Sequence, residues 1–230
     1  MWKPSLGRQH ASEAIKEAFE SYLDLLPGDK QPAIRSVHGG TPLAFDQLKE
    51  FIRTLDLARF GIGQGDRMCS CLPNGPEAAV AFLAFSCYCT YAPLNPALDD
   101  AEVRFEFDDL PAKAVVVEEG NPINKVTLAA AAEMGVSVLE LTPLGGRTGA
   151  GTFSIWQARS ALPAVPRELG RRGDICLVLH TSGTTAKPKI VPLTHQNVCV
   201  GALCIKSAVT AAQAPNPQGR QGESCAQRTH

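Results

Sequence analysis

The chain has 230 residues, 44% of them hydrophobic and 20% charged, and carries a formal net charge of −1. That length and composition suit a folded domain with a sizeable core and speak against wholesale disorder. Basic and acidic residues balance at 22 against 23, which gives no broad positive surface for nucleic acid or an anionic membrane.

Residues 1–10 lack the apolar centre of a secretory signal and read as a flexible N-terminus. The eight cysteines are therefore expected as reduced intracellular thiols rather than a disulfide frame. Cys69 and Cys71 stand two apart, as do Cys87 and Cys89. Zinc ligands are usually spaced C-x2-C or wider, and the other cysteines offer no matching pair, so small buried residues are expected instead. Ile15, Ala18, Phe19, Tyr22, Leu23 and Leu26 follow a helical rhythm and predict one apolar stripe. Ala33–Val37 and Pro42–Phe45 predict a hairpin about His38-Gly39-Gly40. Asp46 is expected to cap a helix that turns Leu48, Phe51, Ile52 and Leu55 inward and ends at Gly61. Arg67–Leu72 reads as a strand, Pro73-Asn74-Gly75 as a turn, and Pro76-Glu77 as a helix start.

The charge-free run from Ala78 to Leu98 is long enough to raise a membrane span. Pro93 and Pro96 interrupt it, which favours a buried helix followed by a short strand about Ala92. Asp99 and Asp100 start a further helix, Ala112–Glu119 is a strand, Ile123–Met134 a helix stopped by Gly135, and Val136–Leu141 another strand. Strands alternating with helices predict the α/β class, with a mainly parallel sheet flanked by helices. From about 145 to 173 glycine, proline and five arginines replace periodicity, and the segment reads as a surface excursion. Its arginines suit phosphates, but a solvated loop is the plainer expectation.

The next stretch is the most informative. Ile175–His180 is a buried strand by composition, Thr181–Lys187 a loop, Lys189–Leu193 a second strand, and Thr194 a helix cap with Asn197 in the first turn. The loop offers hydroxyls at Thr181, Ser182, Thr184 and Thr185 and an unobstructed backbone at Gly183. Rotatable hydroxyls and successive amides suit an anion such as a triphosphate, and Lys189 adds a full positive charge. A polar turn with incidental lysines is the competing reading. The spacing is not that of the Walker loop, and Gly61–Gly65 precedes a strand where a dinucleotide fingerprint would follow one. After Val209 no Val, Leu, Ile, Met, Phe, Tyr or Trp remains, so 206–230 is expected as a disordered tail.

"TSGTTAKPK", Thr181–Lys189, resembles the phosphate-binding signature [ST]-[ST]-G-[ST]-T-G-x-P-K of the adenylate-forming (AMP-binding) superfamily, which includes acyl-CoA synthetases. "TPLAFDQLKEF", "GIGQGDRM", "LPNGPEAAVAFLA" and "APLNPALDDAEVRFEFDDLPAKAVVVEE" are similar to the first subdomain of acyl-CoA synthetases, in the same order. "VAFLA", "APLNPAL" and "VPLTHQNV" look most like the branch of oxalate–CoA ligase and peroxisomal-type CoA synthetases. The resemblance covers roughly 11–205 and implies a partial N-terminal AMP-binding domain, an incomplete N-terminal part of the adenylate-forming ligase fold.

It also implies the chemistry. In that family a carboxylate attacks the α-phosphate of ATP to give an acyl-adenylate and pyrophosphate, and coenzyme A then displaces AMP. Carried over by motif position, Ser182, Gly183, Thr184 and Thr185 would wrap the phosphate oxygens, Lys189 would counter their charge, and Thr181 would approach phosphate-bound Mg2+. Ala186 stands where the family has glycine; if that position needs positive φ, alanine costs about 1 kcal/mol and weakens ATP binding several-fold. The family's aromatic-Gly-x-Thr-Glu segment, ribose-binding aspartate, hinge and C-terminal lysine find no match here, so no catalytic residue is carried over.

The expected function is thus the N-terminal fragment of an ATP-dependent acid–CoA ligase, a truncated product inactive alone. Its partners are a small-molecule carboxylic acid, ATP and CoA, with no nucleic acid and no membrane span. The alternative is a non-catalytic module that binds ATP weakly or pairs with a full-length relative; a phosphotransferase would instead move the γ-phosphate and release no AMP. Location is expected to be intracellular: cytoplasmic, or peroxisomal for full-length relatives, although Gln227-Arg228-Thr229-His230 is not a peroxisomal address.

Overall fold

A computed structural model describes residues 19–145, 148–159, 161–181 and 188–213. A turn of 3-10 helix at Tyr22–Leu25 leads to the short antiparallel pair β1 (Pro32–Ile34) and β2 (Leu43–Ala44) and to α1 (Phe45–Thr54). There follow β3 (Arg67–Cys71), α2 (Pro76–Phe85), β4 (Thr90–Pro93), α3 (Asp100–Asp109), β5 (Ala114–Glu118), α4 (Lys125–Met134) and β6 (Ser137–Pro143). β7 (Phe153–Arg159), β8 (Ile175–Thr181), β9 (Lys189–Thr194) and α5 (His195–Gln213) complete the described chain.

Seven of these strands form one sheet in the order β7-β6-β5-β3-β4-β8-β9. The five central strands are parallel; β7 and β9 run antiparallel at the two edges. The α/β class and mainly parallel sheet expected from sequence are what the chain forms. Strand order also fixes which helix lies on which face. β3 steps to β4 in one direction, whereas β4 to β5 and β5 to β6 step in the other, so right-handed crossovers put α2 on one face and α3 and α4 on the opposite one. Two buried clusters follow from this. Val80, Ala81 and Phe85 of α2 pack with Leu48 and Ile52 of α1 on the first face. Val103 and Phe107 of α3 pack with Ala130 and Ala131 of α4 on the second.

The local signals act as expected at several ends. Pro76 opens α2, Gly135 ends α4 with φ 71°, and Asp99 and Glu102 cap α3 reciprocally through 2.9 Å bonds. The run from Ala78 is a buried helix and strand, with Val80, Ala84, Phe85, Tyr91 and Ala92 all in the core. Cys69, Cys71, Cys87, Cys89, Cys176 and Cys199 are buried thiols, while Cys204 is exposed. Among the described residues no helix is long and apolar enough to cross a membrane.

Four expectations need correction. α1 ends at Thr54, and Gly61 instead closes a separate 3-10 turn at Ala58–Phe60. Asp46 lies in the first turn of α1 rather than at its cap; Gln47 Oε1 accepts from the Ala44 amide at 3.0 Å. The excursion at 145–173 contains β7, whose Phe153 and Ile155 are buried while Ser154 and Trp156 face solvent, the period-two pattern of an edge strand. Flanking glycines and prolines hid that alternation. The tail expected from 206 is helical through Gln213, in keeping with the high helix propensity of alanine; 214–230 lie outside the described residues, as do 1–18 and most of the predicted first stripe.

His195, at the start of α5, gives the core a pH-dependent element. It is 1% exposed, its Nδ1 has no partner among the described residues, and the Tyr22 ring lies 5.2 Å away. Burial pushes its imidazole below the usual 6.5, against weaker opposing pulls from Asp174 and Asp24. The neutral ring is therefore the folded form. Its share of stability is complete above the unfolded-state value and is lost as pH falls from there through the lower folded-state value. Unfolding free energies from urea titrations should decline between pH 7 and 5 with a slope of up to about 1.4 kcal/mol per pH unit from this group. His195→Phe should flatten that part of the profile; an unchanged slope would refute the assignment.

Candidate functional site

The strand expected to be buried over Ile175–His180 is buried only at its centre, with Ile175 and Leu179 exposed. Cys176, Leu177 and Val178 are buried, whereas Thr181 is exposed at the carboxyl end. In open α/β sheets ligands gather outside the carboxyl ends of the parallel strands. There β8 pairs with β9 so that the Cα of Thr181 faces that of Lys189, and Thr181 Oγ1 donates to the Lys189 carbonyl at 3.3 Å. The two ends of the predicted phosphate loop are thus brought together, with the Lys189 side chain exposed. Ser182, Gly183, Thr184 and Thr185, also singled out from sequence, lie outside the described residues. Downstream, Thr194 and Asn197 cap α5 reciprocally: Asn197 Oδ1 accepts from the Thr194 amide at 3.0 Å, and Thr194 Oγ1 from the Asn197 amide at 3.2 Å.

A polar cluster that the sequence reading missed stands one residue before Thr181. His180 Nδ1 lies 2.8 Å from Glu106 Oε2, and its Nε2 lies 3.2 Å from Asp109 Oδ2. Each ring nitrogen thus lies beside a carboxylate oxygen of α3. Burial raises the Glu106 carboxyl above the ordinary carboxylate range, and His180 opposes that shift. A signal was present: Glu106 falls within the Val103, Phe107 and Leu110 spacing that α3 turns inward. A carboxylate there needs a buried partner, which the sequence of α3 alone does not name.

Two of the five arginines of the excursion serve the scaffold rather than a ligand. Arg167 donates from Nε to the Leu55 carbonyl at 3.0 Å, closing the end of α1, and from Nη2 to the Tyr88 hydroxyl at 2.7 Å. Arg172 Nε donates to the Phe19 carbonyl at 2.9 Å. On the α3 side of the β8–β9 pair a cleft of about 630 Å³ is floored by Val178, Ile190 and Pro192 and walled by Arg67, Asp109 and Leu110.

Comparison with known proteins identifies the family. The family model described as AMP-binding enzyme matches residues 30–221. "Probable CoA ligase CCL9" of Humulus lupulus is 34% identical over 148 residues, covering 64% of this chain and 28% of that protein. The oxalate–CoA ligase of Arabidopsis thaliana is 33% identical over 150 residues, again covering 64% and 28%. The crystal structure of ATP-bound MatB from Rhodopseudomonas palustris shares the fold with a TM-score of 0.58 at 22% identity, over 82% of this chain and 38% of that one. The chain therefore spans little more than a quarter of the length of these curated relatives.

Proposed function

Because the chain belongs to the AMP-binding enzyme family, we propose that it carries the phosphate-binding part of an ATP-dependent acid–CoA ligase. The observation that carries this reading is the pairing of Thr181 with Lys189 at the carboxyl end of β8, which closes the "TSGTTAKPK" segment on itself. The ligand is ATP, as in the ATP-bound structural relative. Lys189 neutralises charge on the β- and γ-phosphates, and the hydroxyls and amides of 181–185 wrap their oxygens. In the assembled ligase a carboxylic acid attacks the α-phosphate, pyrophosphate leaves, and the thiol of coenzyme A then displaces AMP to give the thioester.

Reactions of this kind use Mg2+. The exposed hydroxyl of Thr181 is a hard oxygen donor of the type such an ion takes beside phosphate oxygens, so the residue present fits it. Bound there, Mg2+ would supply positive charge to the leaving pyrophosphate.

Holding the leaving group is only part of the reaction. Adenylation also requires the acid to be fixed in line with the α-phosphate, and these 230 residues match none of the family motifs that do so. On their own they should bind MgATP and form no acyl-CoA. Calorimetric titration with MgATP, together with chromatographic detection of AMP and acyl-CoA over a panel of carboxylic acids, tests both halves. Absent binding overturns the site, and thioester from the purified chain overturns its catalytic silence. A second role, pairing with a longer relative, is favoured by Leu179, Ile190 and Val191, which lie exposed around the edge strand β9. Co-elution with such a relative in the same assay would support it.

A further inference from the structure

His180 is more tightly held than either member of the pair it precedes. Its side chain is 7% exposed, against 11% for that of Glu106. Glu106 and Asp109 lie one turn apart on α3 and so present their carboxylates on one side of a single rigid element. A histidine held at one nitrogen still swivels about its side-chain bonds. Held at both, by groups of the same helix, it has one orientation. The Phe105 ring, edge-on at 6.5 Å, flanks it as well.

That constraint has somewhere to go. His180 is joined by one peptide bond to Thr181, and across the ladder its Cα partner is Ile190, the neighbour of Lys189. β9 is the last strand of the sheet and has no strand on its outer side among the described residues. Among the described residues β8 is also joined to β4 at Tyr91 and Leu177, and His180 adds a polar tie from the far end of the hairpin to α3.

We propose that His180, clamped between Glu106 and Asp109, is a positioning residue that holds Thr181 and Lys189 in place for the phosphates of the nucleotide. The proposal rests on the nucleotide-binding reading above. The role is one of orientation: His180 touches no phosphate, and its loss displaces the residues that do.

The test is a MgATP titration of the full chain bearing His180→Leu, His180→Gln or Glu106→Gln. It is run well below each unfolding midpoint and beside residue-resolved amide exchange at His180, Thr181, Lys189 and Ile190. His180→Leu should weaken ATP binding about tenfold, within the range of ordinary coupling between sites. It should also speed exchange at those four amides. His180→Gln keeps a donor for one of the two carboxylates and should recover part of both losses. A variant that only lowers the unfolding midpoint, with ATP affinity and hairpin exchange as in the parent chain, would overturn the proposal. If the parent chain shows no ATP binding sensitive to Lys189, the nucleotide reading fails on its own. Exchange then still decides: acceleration rescued by glutamine supports the positioning role, and unchanged exchange overturns it.

Discussion

Lys189→Ala should weaken MgATP binding ten- to a hundredfold while leaving the folded state almost untouched. Lys189 is the first residue of β9, its side chain is exposed, and it makes no ion pair with another described residue. Alanine keeps the backbone carbonyl that accepts from Thr181, so the hairpin retains its closing bond. An exposed substitution of this kind normally changes stability by no more than about 0.5 kcal/mol. A charged hydrogen bond to phosphate contributes about 1.5–3 kcal/mol, which at 1.4 kcal/mol per decade corresponds to roughly one to two decades of affinity. The contrast between a large binding loss and a small stability loss is what identifies a ligand-facing cation. Lys189→Arg keeps the charge but spreads it over a planar fork, and should lose less. Calorimetry at two salt concentrations adds a check, because an exposed cation facing a polyanion must lose affinity as ionic strength rises. Equal ATP affinity in the alanine variant would sink the proposed site.

The parts of this picture that were legible in the sequence are those written in local chemistry. Pro76 ahead of an apolar run, Asp99 with Glu102 three residues on, Gly135 after Met134, and Thr194 with Asn197 each state a helix end within one turn. The two strands that flank the loop proposed to bind phosphate belong to the same class, since both announce themselves by composition. What was not legible depends on distant partners. His180 meets Asp109 across 71 positions, and neither the end of β8 nor the inward face of α3 specifies the other. Arg167 reaches 112 positions back to the Leu55 carbonyl, so a segment that looks like solvated loop is fastened to a helix end. β7 was lost for a different reason. Its alternation is real, but it spans seven residues set between glycines and prolines, and as an edge strand it shows solvent a tryptophan. Local propensity alone weighs such a segment as loop; pairing with β6 decides otherwise.

The turn that brings β7 into the sheet supplies the sharpest stability prediction. Gly151 holds φ 84°, and a Cβ built on it would stand 2.6 Å from Val80 Cγ2 and 2.8 Å from the Pro76 carbonyl carbon, with the Pro76 oxygen closer still. Pro76 is the first residue of α2 and Val80 is wholly buried against the sheet, so neither can retreat cheaply. Gly151→Ala therefore carries two costs. Left-handed backbone in a residue with a side chain costs about 1–2 kcal/mol, and forcing a methyl into a filled contact adds about 1–3 kcal/mol. Gly135 separates them: it too is left-handed, at φ 71°, but nothing lies within 4 Å of its would-be side chain. Gly135→Ala should lose only the backbone share, about 1 kcal/mol, and Gly151→Ala about 3 kcal/mol, a large fraction of the 5–15 kcal/mol that holds an ordinary domain together. Urea unfolding of the two variants beside the parent chain measures the difference directly. Equal losses would mean that the β6–β7 turn does not press on the start of α2, and the packing that ties this edge of the sheet to its first helix layer would have to be redrawn.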